Sequence, residues 1–327
     1  MSETILFNSR HLLPDAWCLL ADGPVWGFNP ALCRTSDGFL FAYRIVTTDD
    51  ERRIGICRLD KELSIIPGSL LAVSDEIFRS NTACVRNWFA DPRLYTFQSR
   101  IFLYWNSGWH SPQNEQYLQE LDARTLAPIG PARLLMLEGK RRQIEKNWTF
   151  FGEGPFYAVY SIVPHRVLEF SLDGSGPIQF REVASVDWNP GSYVSEFGEL
   201  RGGCPPIREG NTYLSIVHSL LPSANGAHYL PAVYRFNAKH PFAPLTAPLA
   251  PLPLPEPFQM DRIHGRLNPA AERIVYPCGA TVSGESVLIS YGINDELCAI
   301  ARLHHNKLES SMCSLVAEGE KMGLRLL

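Results

Sequence analysis

The stretch Arg86-Asn87-Trp88-Phe89-Ala90-Asp91-Pro92-Arg93-Leu94-Tyr95 decides how the chain is interpreted. A carboxylate and a guanidinium flank a proline in an otherwise apolar run, and a buried charge is costly unless it is paired or used. Turn residues follow, and then a second apolar run, Ile101-Phe102-Leu103-Tyr104-Trp105-Asn106. The two runs predict a β-hairpin that presents Asp91 and Arg93 in a pocket.

Runs like the second one recur along the chain. Each has the length of a strand, is rich in aromatic or β-branched residues, and follows a Gly, Asp, Ser or Asn turn signal. They lie at 39–44, 101–106, 156–161, 213–218 and 286–291. Five equivalent strands are therefore predicted.

A more unusual run precedes each of these strands, at 28–31, 90–93, 145–148, 202–205 and 275–279. The separation between the two runs is nearly constant: Asn29 to Tyr43 is 14 residues, and Asp91 to Tyr104 is 13. Each blade of a propeller must place the same two strands at the same distance from a common axis. The constant separation therefore predicts that each hairpin belongs to one blade.

The spacing between hairpins leads to the same fold. Intervals of 61, 56, 57 and 74 residues separate Tyr43, Tyr104, Tyr160, Val217 and Tyr291. We predict an all-β, five-bladed β-propeller that forms a single domain over residues 1–327. The long last interval contains seven prolines between 241 and 257, which exclude ladder pairing and predict a Pro-rich surface connection at 241–257.

The remaining strands are predicted from shorter patterns. Alternating runs at 54–60, 117–122, 167–173 and 299–303 suit third strands. The strand that closes the ring comes either from 5–7 or from 322–326, and the sequence alone leaves both open. Because no segment sustains a helical period, we expect little helix beyond short turns.

Composition limits the classes of function. The 327 residues are 45% apolar and 20% charged, and the net charge of -4 gives no reason to expect a nucleic acid or an anionic membrane as partner. We find neither a secretory signal nor an apolar run long enough to span a bilayer, so we expect a cytoplasmic protein. The eight cysteines include no Cys-x-x-Cys pair, which favours reduced thiols and predicts neither metal nor cofactor. Oligomeric state is not indicated.

Inner strands of a propeller converge on its axis, so their polar residues are candidates for one site. These candidates are Asn29, Asp91, Arg93, Lys146, Asn147 and His218, joined by Arg44 and Asp295 where the second strands emerge. Carboxylates accept hydrogen bonds from sugar hydroxyls, whereas amides and guanidinium groups donate to them. Aromatic rings that suit the face of a sugar are Trp88, Trp105, Trp109, Trp148 and Tyr291.

Structural roles compete with these interpretations. Asp91 and Arg93 also suit an ion pair that braces two blades. His218 also suits a buried histidine bonded to a carbonyl group. We expect solvated side chains at Glu145, Glu196, Glu199 and Glu272.

The order of the motifs resembles the five-bladed propellers of glycoside hydrolase family 130, which contains β-mannoside phosphorylases and hydrolases and is related in fold to families 43, 32 and 68. The resemblance covers about residues 28–303. The motifs that carry it are Asn29-Pro30 with Tyr43-Arg44, Asp91-Pro92-Arg93, Lys146-Asn147, Gly202-Gly203-Cys204-Pro205-Pro206 with His218, and Tyr276-Pro277-Cys278-Gly279 with Tyr291-Gly292-Ile293-Asn294-Asp295.

The resemblance implies an inverting glycoside hydrolase or phosphorylase that acts on a carbohydrate, with β-mannosides as one substrate class. It implies that Asp91 is the general acid, that Lys146 binds phosphate, and that Asn29, Arg44 and Asp295 hold the sugar. From the predicted inner strands and the aromatic residues themselves we add Arg93, Asn147 and Tyr291 as substrate-binding residues, and we expect Lys146, Arg93 and His218 to form a cradle for a polar or anionic group.

Two alternatives remain open at this stage. One is a glycosyltransferase on the same scaffold that uses a phosphate-containing sugar donor, and the other is a non-catalytic carbohydrate-binding propeller. Residues 106–119 contain no arginine, where phosphorylases of the family usually bind phosphate with one. Water, phosphate and an acceptor hydroxyl therefore all remain candidates for the nucleophile.

Overall fold

The computed structural model describes residues 3–81, 88–108, 113–224, 226–256, 267–268 and 271–315, and strands dominate it. After the first strand, β1 (Glu3–Phe7), unit 1 consists of β2 (Trp26–Arg34), β3 (Phe39–Val46) and β4 (Arg52–Leu59). Unit 2 consists of β5 (Ala90–Phe97), β6 (Arg100–Asn106), β7 (Gln116–Leu121) and β8 (Pro128–Leu137). Within both units each strand pairs antiparallel with the next.

The second half of the chain continues in the same way. Unit 3 consists of β9 (Thr149–Phe151), β10 (Phe156–Ser161), β11 (His165–Phe170) and β12 (Ile178–Val186). In unit 4, β13 (Glu199–Arg201), β14 (Ile207–Glu209) and β16 (Gly226–Asn237) all pair with β15 (Thr212–Ser223). The short strand β17 (Thr246–Pro248) comes next, and unit 5 consists of β18 (Ala271–Ser283), β19 (Ser286–Ile293) and β20 (Leu297–His304). The last strand, β21 (Met312–Ser314), pairs with β17.

The strand that completes unit 5 comes from the beginning of the chain. β1 pairs antiparallel with β20, so that Ile5 lies opposite Ile300. Of the two candidates that the sequence left open, 5–7 supplies this strand, and 322–326 lies outside the described residues. Neighbouring units also join, because β8 pairs parallel with β12 and β16 pairs parallel with β18.

Apolar cores lie between successive units. One cluster joins units 1 and 2, the next joins units 2 and 3, and two further clusters join unit 4 to units 3 and 5. A fifth cluster contains Leu32 and Phe41 of unit 1 together with Leu288 and Ile300 of unit 5. Each unit described here therefore shares apolar surface with the one before and the one after it.

The five predicted second strands all lie in observed strands, namely β3, β6, β10, β15 and β19. Of the runs before them, 28–31, 90–93 and 275–279 also lie in strands, but 145–148 and 202–205 do not. Asn147 adopts a left-handed backbone conformation, with a φ of 65°. A Cβ on Gly202 would lie 2.0 Å from the carbonyl oxygen of Asn147, so these two irregular segments pack directly against each other.

The Pro-rich connection at 241–257 is more buried than predicted. Phe242, Leu252 and Leu254 are buried, and the backbone N–H of Leu252 donates to the carbonyl of Pro231 in β16. The connection is therefore only partly a surface segment, since Leu249 is exposed whereas these three side chains are buried. The prediction that its prolines exclude ladder pairing is wrong at Thr246–Pro248, which forms β17 and pairs with β21. Residue 257 lies outside the described residues.

Helices are few, although one is longer than the short turns we expected. α1 (Val73–Asn81) has nine residues and buries Val73 and Ile77, which share a face at i and i+4. α2 (Tyr193–Phe197) and α3 (His305–Glu309) are short, and two 3₁₀ helices lie at Ser9–Leu12 and Asp15–Asp22. A single pair of apolar positions is too weak a pattern to predict α1. Among the described residues, no helix is long and apolar enough to cross a membrane.

Candidate functional site

A cavity of about 190 Å³ lies where the first strands of several units approach one another. It is smaller than the roughly 300 Å³ at which pockets for drug-sized ligands begin, so it suits a small ligand. Its polar lining consists of Asn29, Arg44, Asp91, Asn106, Lys146, Tyr229, Asn268, Tyr276 and Asp295, and Trp88, Ile144 and Ile274 supply larger apolar surface. The cavity thus brings together Asn29, Arg44, Asp91, Lys146 and Asp295 from the predicted set.

Backbone irregularities turn three of these side chains into the cavity. Asn29, Asp91 and Asp295 have positive φ values of 50°, 52° and 57°. Asn and Asp tolerate this left-handed conformation better than other residues with a side chain. The strand register shifts at Asn29-Pro30 and again at Asp91-Pro92, as expected of β-bulges, which re-aim side chains. An Asn or Asp before proline in an apolar run was therefore the sequence signal for the site.

Asp91 is surrounded by hydrogen-bond donors and cations. Its Oδ1 accepts from Asn29 Nδ2 at 2.9 Å and lies 3.5 Å from Arg44 Nη1. Burial acts to raise the pKa of Asp91, but Lys146, Arg44 and Arg93 outweigh it together with the Asn29 hydrogen bond, so the pKa lies below its usual value. Asp91 is consequently ionised at neutral pH.

Asp295 has the opposite electrostatic environment. Its Oδ2 accepts from Asn268 Nδ2 at 2.9 Å. Burial, assisted by the negative charge of Asp91, raises the pKa of Asp295 above its usual value, although Asn268 and Arg44 oppose this shift. Two carboxyl groups whose pKa values are pushed apart can take different roles in one reaction.

Two cations complete the polar lining. The guanidinium carbon of Arg44 lies 4.9 Å from the centre of the Phe28 ring, which fixes it beside Asp91. Burial lowers the pKa of Lys146, whereas Asp91 acts to raise it. An arginine in a protein stays protonated despite such burial, so Arg44 offers a permanent positive charge.

Arg93 does not line the cavity. Its Nε donates to the carbonyl of Gly203 at 2.7 Å and its Nη1 to that of Pro92 at 2.9 Å. Toward Asp91, Arg93 donates only to the backbone carbonyl, at 3.3 Å. Neither the predicted cradle for a ligand nor a hydrogen-bonded pair of the two side chains is seen, because the guanidinium is used on backbone carbonyls behind the site.

His218, Tyr291 and Asn147 also lie outside the cavity lining. His218 is fully buried, with its ring centre 4.6 Å from that of Tyr276, and burial holds its pKa well below the usual value. A neutral ring does not bind an anion by charge. The buried Tyr291 donates to the carbonyl of Pro255 at 2.6 Å, and Asn147 Oδ1 accepts from the Tyr276 hydroxyl at 2.7 Å. Asn147 thus orients a residue of the lining.

Of the tryptophans predicted to face a sugar, Trp88 lines the cavity. Trp105 and Trp148 are buried in apolar cores, and Trp109 lies outside the described residues. Trp105 lies on β6 and Trp148 directly precedes β9, and both strands are buried on both faces, so an aromatic residue there is a core residue.

The prediction of solvated glutamates holds for Glu196 and Glu199, but Glu145 is only 3% exposed. Its Oε1 accepts from the Tyr160 hydroxyl at 3.0 Å and from the backbone N–H of Arg142 at 2.7 Å. The side chain of Glu272 lies outside the described part of the chain.

Sequence reasoning missed several residues of the lining. Tyr276 lay in a recognised motif but was read as part of a strand. Asn106 ends β6, and Tyr229 belongs to β16, a strand that the pattern search did not find. Ile144 and Asn268 lie in irregular segments, where no periodic pattern marks which side chain points inward.

The fold and the cavity together define an all-β protein whose polar site is assembled from successive antiparallel units. No family model matches the sequence, and no curated protein matches it. Solved structures do match. A β-1,2-mannobiose phosphorylase from Listeria innocua aligns with a TM-score of 0.56 at 15% identity, covering 88% of this chain and 91% of that one.

Two further structures give the same result. One, from work on glycoside hydrolases of family 130 that target β-1,2-mannosidic linkages in Candida mannan, has a TM-score of 0.55 at 14% identity and covers 86% of this chain and 85% of that one. A glycosyl hydrolase from Bacteroides ovatus has a TM-score of 0.54 at 14% identity, covering 85% of this chain and 83% of that one. The resemblance predicted from the motifs is thus confirmed at the level of the fold.

Proposed function

We propose that this protein is a carbohydrate-active enzyme that cleaves glycosides with inversion, and that β-mannosides are its substrate class. The observation that carries the proposal is the pairing of Asp91 and Asp295 with Arg44 and Lys146 around one small cavity. The fold supports it, since the solved structures that resemble this chain include a mannobiose phosphorylase and a glycosyl hydrolase.

We infer that the units are the blades of a single five-bladed propeller. The apolar clusters between successive units, including the one between units 5 and 1, support a closed ring. Pairing of β1 with β20 supports it as well, because a propeller is commonly closed by a strand from the other end of the chain. In such a ring the cavity lies on the axis.

In the proposed reaction Asp91 supplies the proton to the leaving oxygen. Because its pKa is lowered, Asp91 must take up a proton as the substrate binds. A sugar that displaces water raises a carboxyl pKa by desolvation, and an anion beside Lys146 offsets the positive charge that lowers it. Asp295, already biased toward its neutral form, is suited to hold sugar hydroxyls.

The nucleophile approaches the anomeric carbon from the side opposite the leaving oxygen, as inversion requires. Lys146 and Arg44 support inorganic phosphate in this role, because both are cations in the lining. Incubating the protein with a β-mannoside and phosphate tests this step. Mannose 1-phosphate identifies a phosphorylase, and free mannose formed equally well without phosphate identifies a hydrolase.

A glycosyltransferase is the second candidate, because the same two cations suit the phosphate of a sugar donor. Transfer from a sugar nucleotide to an acceptor, with no cleavage of glycosides, would favour it. Binding of a β-mannoside without any product over long incubation would instead favour a carbohydrate-binding protein.

Asp91→Asn tests the assignment of the proton donor. Asn keeps the size of the side chain and tolerates the left-handed backbone, so the fold should remain intact. Loss of a general acid typically costs about 100- to 10,000-fold in rate, and we expect kcat to fall within that range. Asp122→Asn, at a half-buried position outside the cavity lining, is the control and should retain full activity. Undiminished turnover by Asp91→Asn on a verified substrate would remove Asp91 from the mechanism.

A further inference from the structure

Lys146 reaches the cavity from a segment that lacks regular structure. The described residues 138–148, between β8 and β9, form neither helix nor strand. Ile144 and Lys146 nevertheless both line the cavity. A segment without ladder hydrogen bonds holds a fixed conformation only if other groups satisfy its buried backbone. The Glu145 side chain satisfies the N–H of Arg142 within the segment, and the backbone next to Lys146 needs further partners from outside it.

The side chain of Asn114 supplies those bonds. Its Nδ2 donates to the carbonyl of Glu145 at 2.7 Å, and its Oδ1 accepts from the backbone N–H of the same residue at 2.8 Å. The backbone of Asn114 adds two more, because its N–H donates to the carbonyl of Gln143 at 3.2 Å and its carbonyl accepts from Arg141 Nη2 at 2.6 Å. The amide thus pairs with Glu145 as a neighbouring strand would.

The residue after Asn114, Glu115, holds another part of the cavity wall. The N–H of Ser107 donates to the carbonyl of Glu115 at 2.8 Å, and Ser107 Oγ accepts from the N–H of Glu115 at 2.8 Å. Asn106 and Gly108, on either side of Ser107, line the cavity. Residues 114 and 115 therefore tie the wall at 106–108 to the wall that carries Lys146.

We propose that Asn114 is a positioning residue that sets the place of Lys146 in the cavity. Asn114 has no exposed surface and is not part of the cavity lining, so it acts through the backbone of Glu145. Only a side chain with one donor and one acceptor in this geometry makes both bonds. An aspartate at 114 keeps the acceptor and loses the donor, and an alanine loses both.

Asn81 offers a matched control. It is also buried, and its side chain also bridges two backbone groups, donating to the carbonyl of Ile77 at 2.7 Å and accepting from the N–H of Ala132 at 2.8 Å. It does not line the cavity. Asn81→Ala and Asn81→Asp therefore remove the same kinds of hydrogen bond at a buried position outside the cavity lining.

The first test follows Lys146 without requiring activity. The chain has six lysines, so 13C-lysine labelling gives few Cε resonances, and Lys146→Arg assigns the one of interest. In the wild type this resonance should titrate below the ordinary pKa of a lysine, since burial lowers the pKa of Lys146. In Asn114→Ala and Asn114→Asp it should titrate at a higher pH than in the wild type, and in the Asn81 variants it should not move.

The second test is kinetic and rests on the proposed function. A displacement of about 1 Å can cost about 100-fold in rate, so we expect kcat/KM to fall by about that factor in both Asn114 variants. If no glycoside is turned over by the wild type, the proposed function fails and the lysine titration still decides the role of Asn114. An unchanged Lys146 titration in folded Asn114→Ala and Asn114→Asp, or an equal change in the Asn81 variants, would overturn the proposal.

Discussion

Asp91 and Asp295 share one cavity, but the residues around them stabilise different protonation states. Three cations and an amide lower the pKa of Asp91 despite its burial, whereas burial raises the pKa of Asp295. A carboxyl group whose pKa is raised by folding costs stability whenever it must ionise in the folded state. Asp91 and Asp295 should therefore affect the pH dependence of stability in opposite directions.

Asp295→Asn should stabilise the protein at neutral pH. Below the ordinary carboxyl pKa, Asp295 is protonated in both the folded and unfolded states, and the cost of its charge is absent. That cost develops as the pH rises through the folded-state pKa, and Asn never incurs it. We expect Tm at pH 7 to rise and the difference from the wild type to shrink toward pH 3.

Asp91→Asn is the matched comparison, with the opposite sign. The pKa of Asp91 is lowered in the folded state, so its contribution to stability is present above the ordinary carboxyl pKa and is lost as the pH falls through the folded value. Its Tm should therefore lie below that of the wild type at pH 7, and the gap should close in acid. Equal shifts of the same sign in both variants would contradict the electrostatics described here.

Single residues also mark the limit of what the sequence predicts. Asn29 and Asp91 were identifiable because a short polar residue before proline interrupts an apolar strand. Arg93 lies on the same strand as Asp91 and His218 lies on β15, but neither side chain lines the cavity. Which side of an inner strand faces the cavity depends on the bulge one or two residues earlier, and a local pattern does not fix that geometry.

At the scale of elements, the constant separation within each hairpin predicted the second strands well, because a buried strand needs a continuous apolar run. Two of the five preceding runs were not strands. The segments at 145–148 and 202–205 pack against each other, with the left-handed Asn147 in one and Pro205 and Pro206 just beyond Gly203 in the other. Such contacts between distant segments override local β propensity.

The closing strand β1 gives a prediction at this scale. Phe7 is 6% exposed and its ring centre lies 4.7 Å from that of Phe41, whereas Leu6, its neighbour on the same strand, is 48% exposed. Phe7→Ala should lower the free energy of unfolding by about 3 to 5 kcal/mol because it leaves a cavity between β1 and unit 1.

Leu6→Ala is the control for the strand itself. It should change the free energy of unfolding by less than about 0.5 kcal/mol, since it removes mainly exposed surface. Denaturant titration of both variants measures the difference. Similar losses in the two would mean that β1 does not present Phe7 to the core in this register.

At the scale of the whole molecule, Arg93 connects units that are distant in sequence. Its guanidinium starts in β5 of unit 2 and bonds the carbonyl of Gly203, between β13 and β14 of unit 4. It also lies 5.3 Å from the ring of Tyr276 in unit 5. The buried guanidinium donates to three backbone carbonyls, so replacing Arg93 leaves all three without this donor.

Arg93→Met should therefore destabilise the entire molecule. Each buried carbonyl left without a donor costs about 1 to 3 kcal/mol, so the loss in free energy of unfolding should exceed about 3 kcal/mol. Arg100→Met is the control, since the exposed Arg100 of β6 pairs with Glu120 at the surface and should contribute less than about 1 kcal/mol.

The same pair of variants separates a structural Arg93 from the ligand cradle predicted by the motif. A structural residue lowers stability strongly when replaced, and the folded variant still binds a β-mannoside at low temperature with nearly unchanged affinity. A cradle residue would give the reverse result, because its guanidinium would bind the ligand. Binding measured by calorimetry would then be lost in Arg93→Met, while its denaturation midpoint matched that of Arg100→Met. Because Arg93 bonds backbone carbonyls of units 2 and 4 and does not line the cavity, we expect the first outcome.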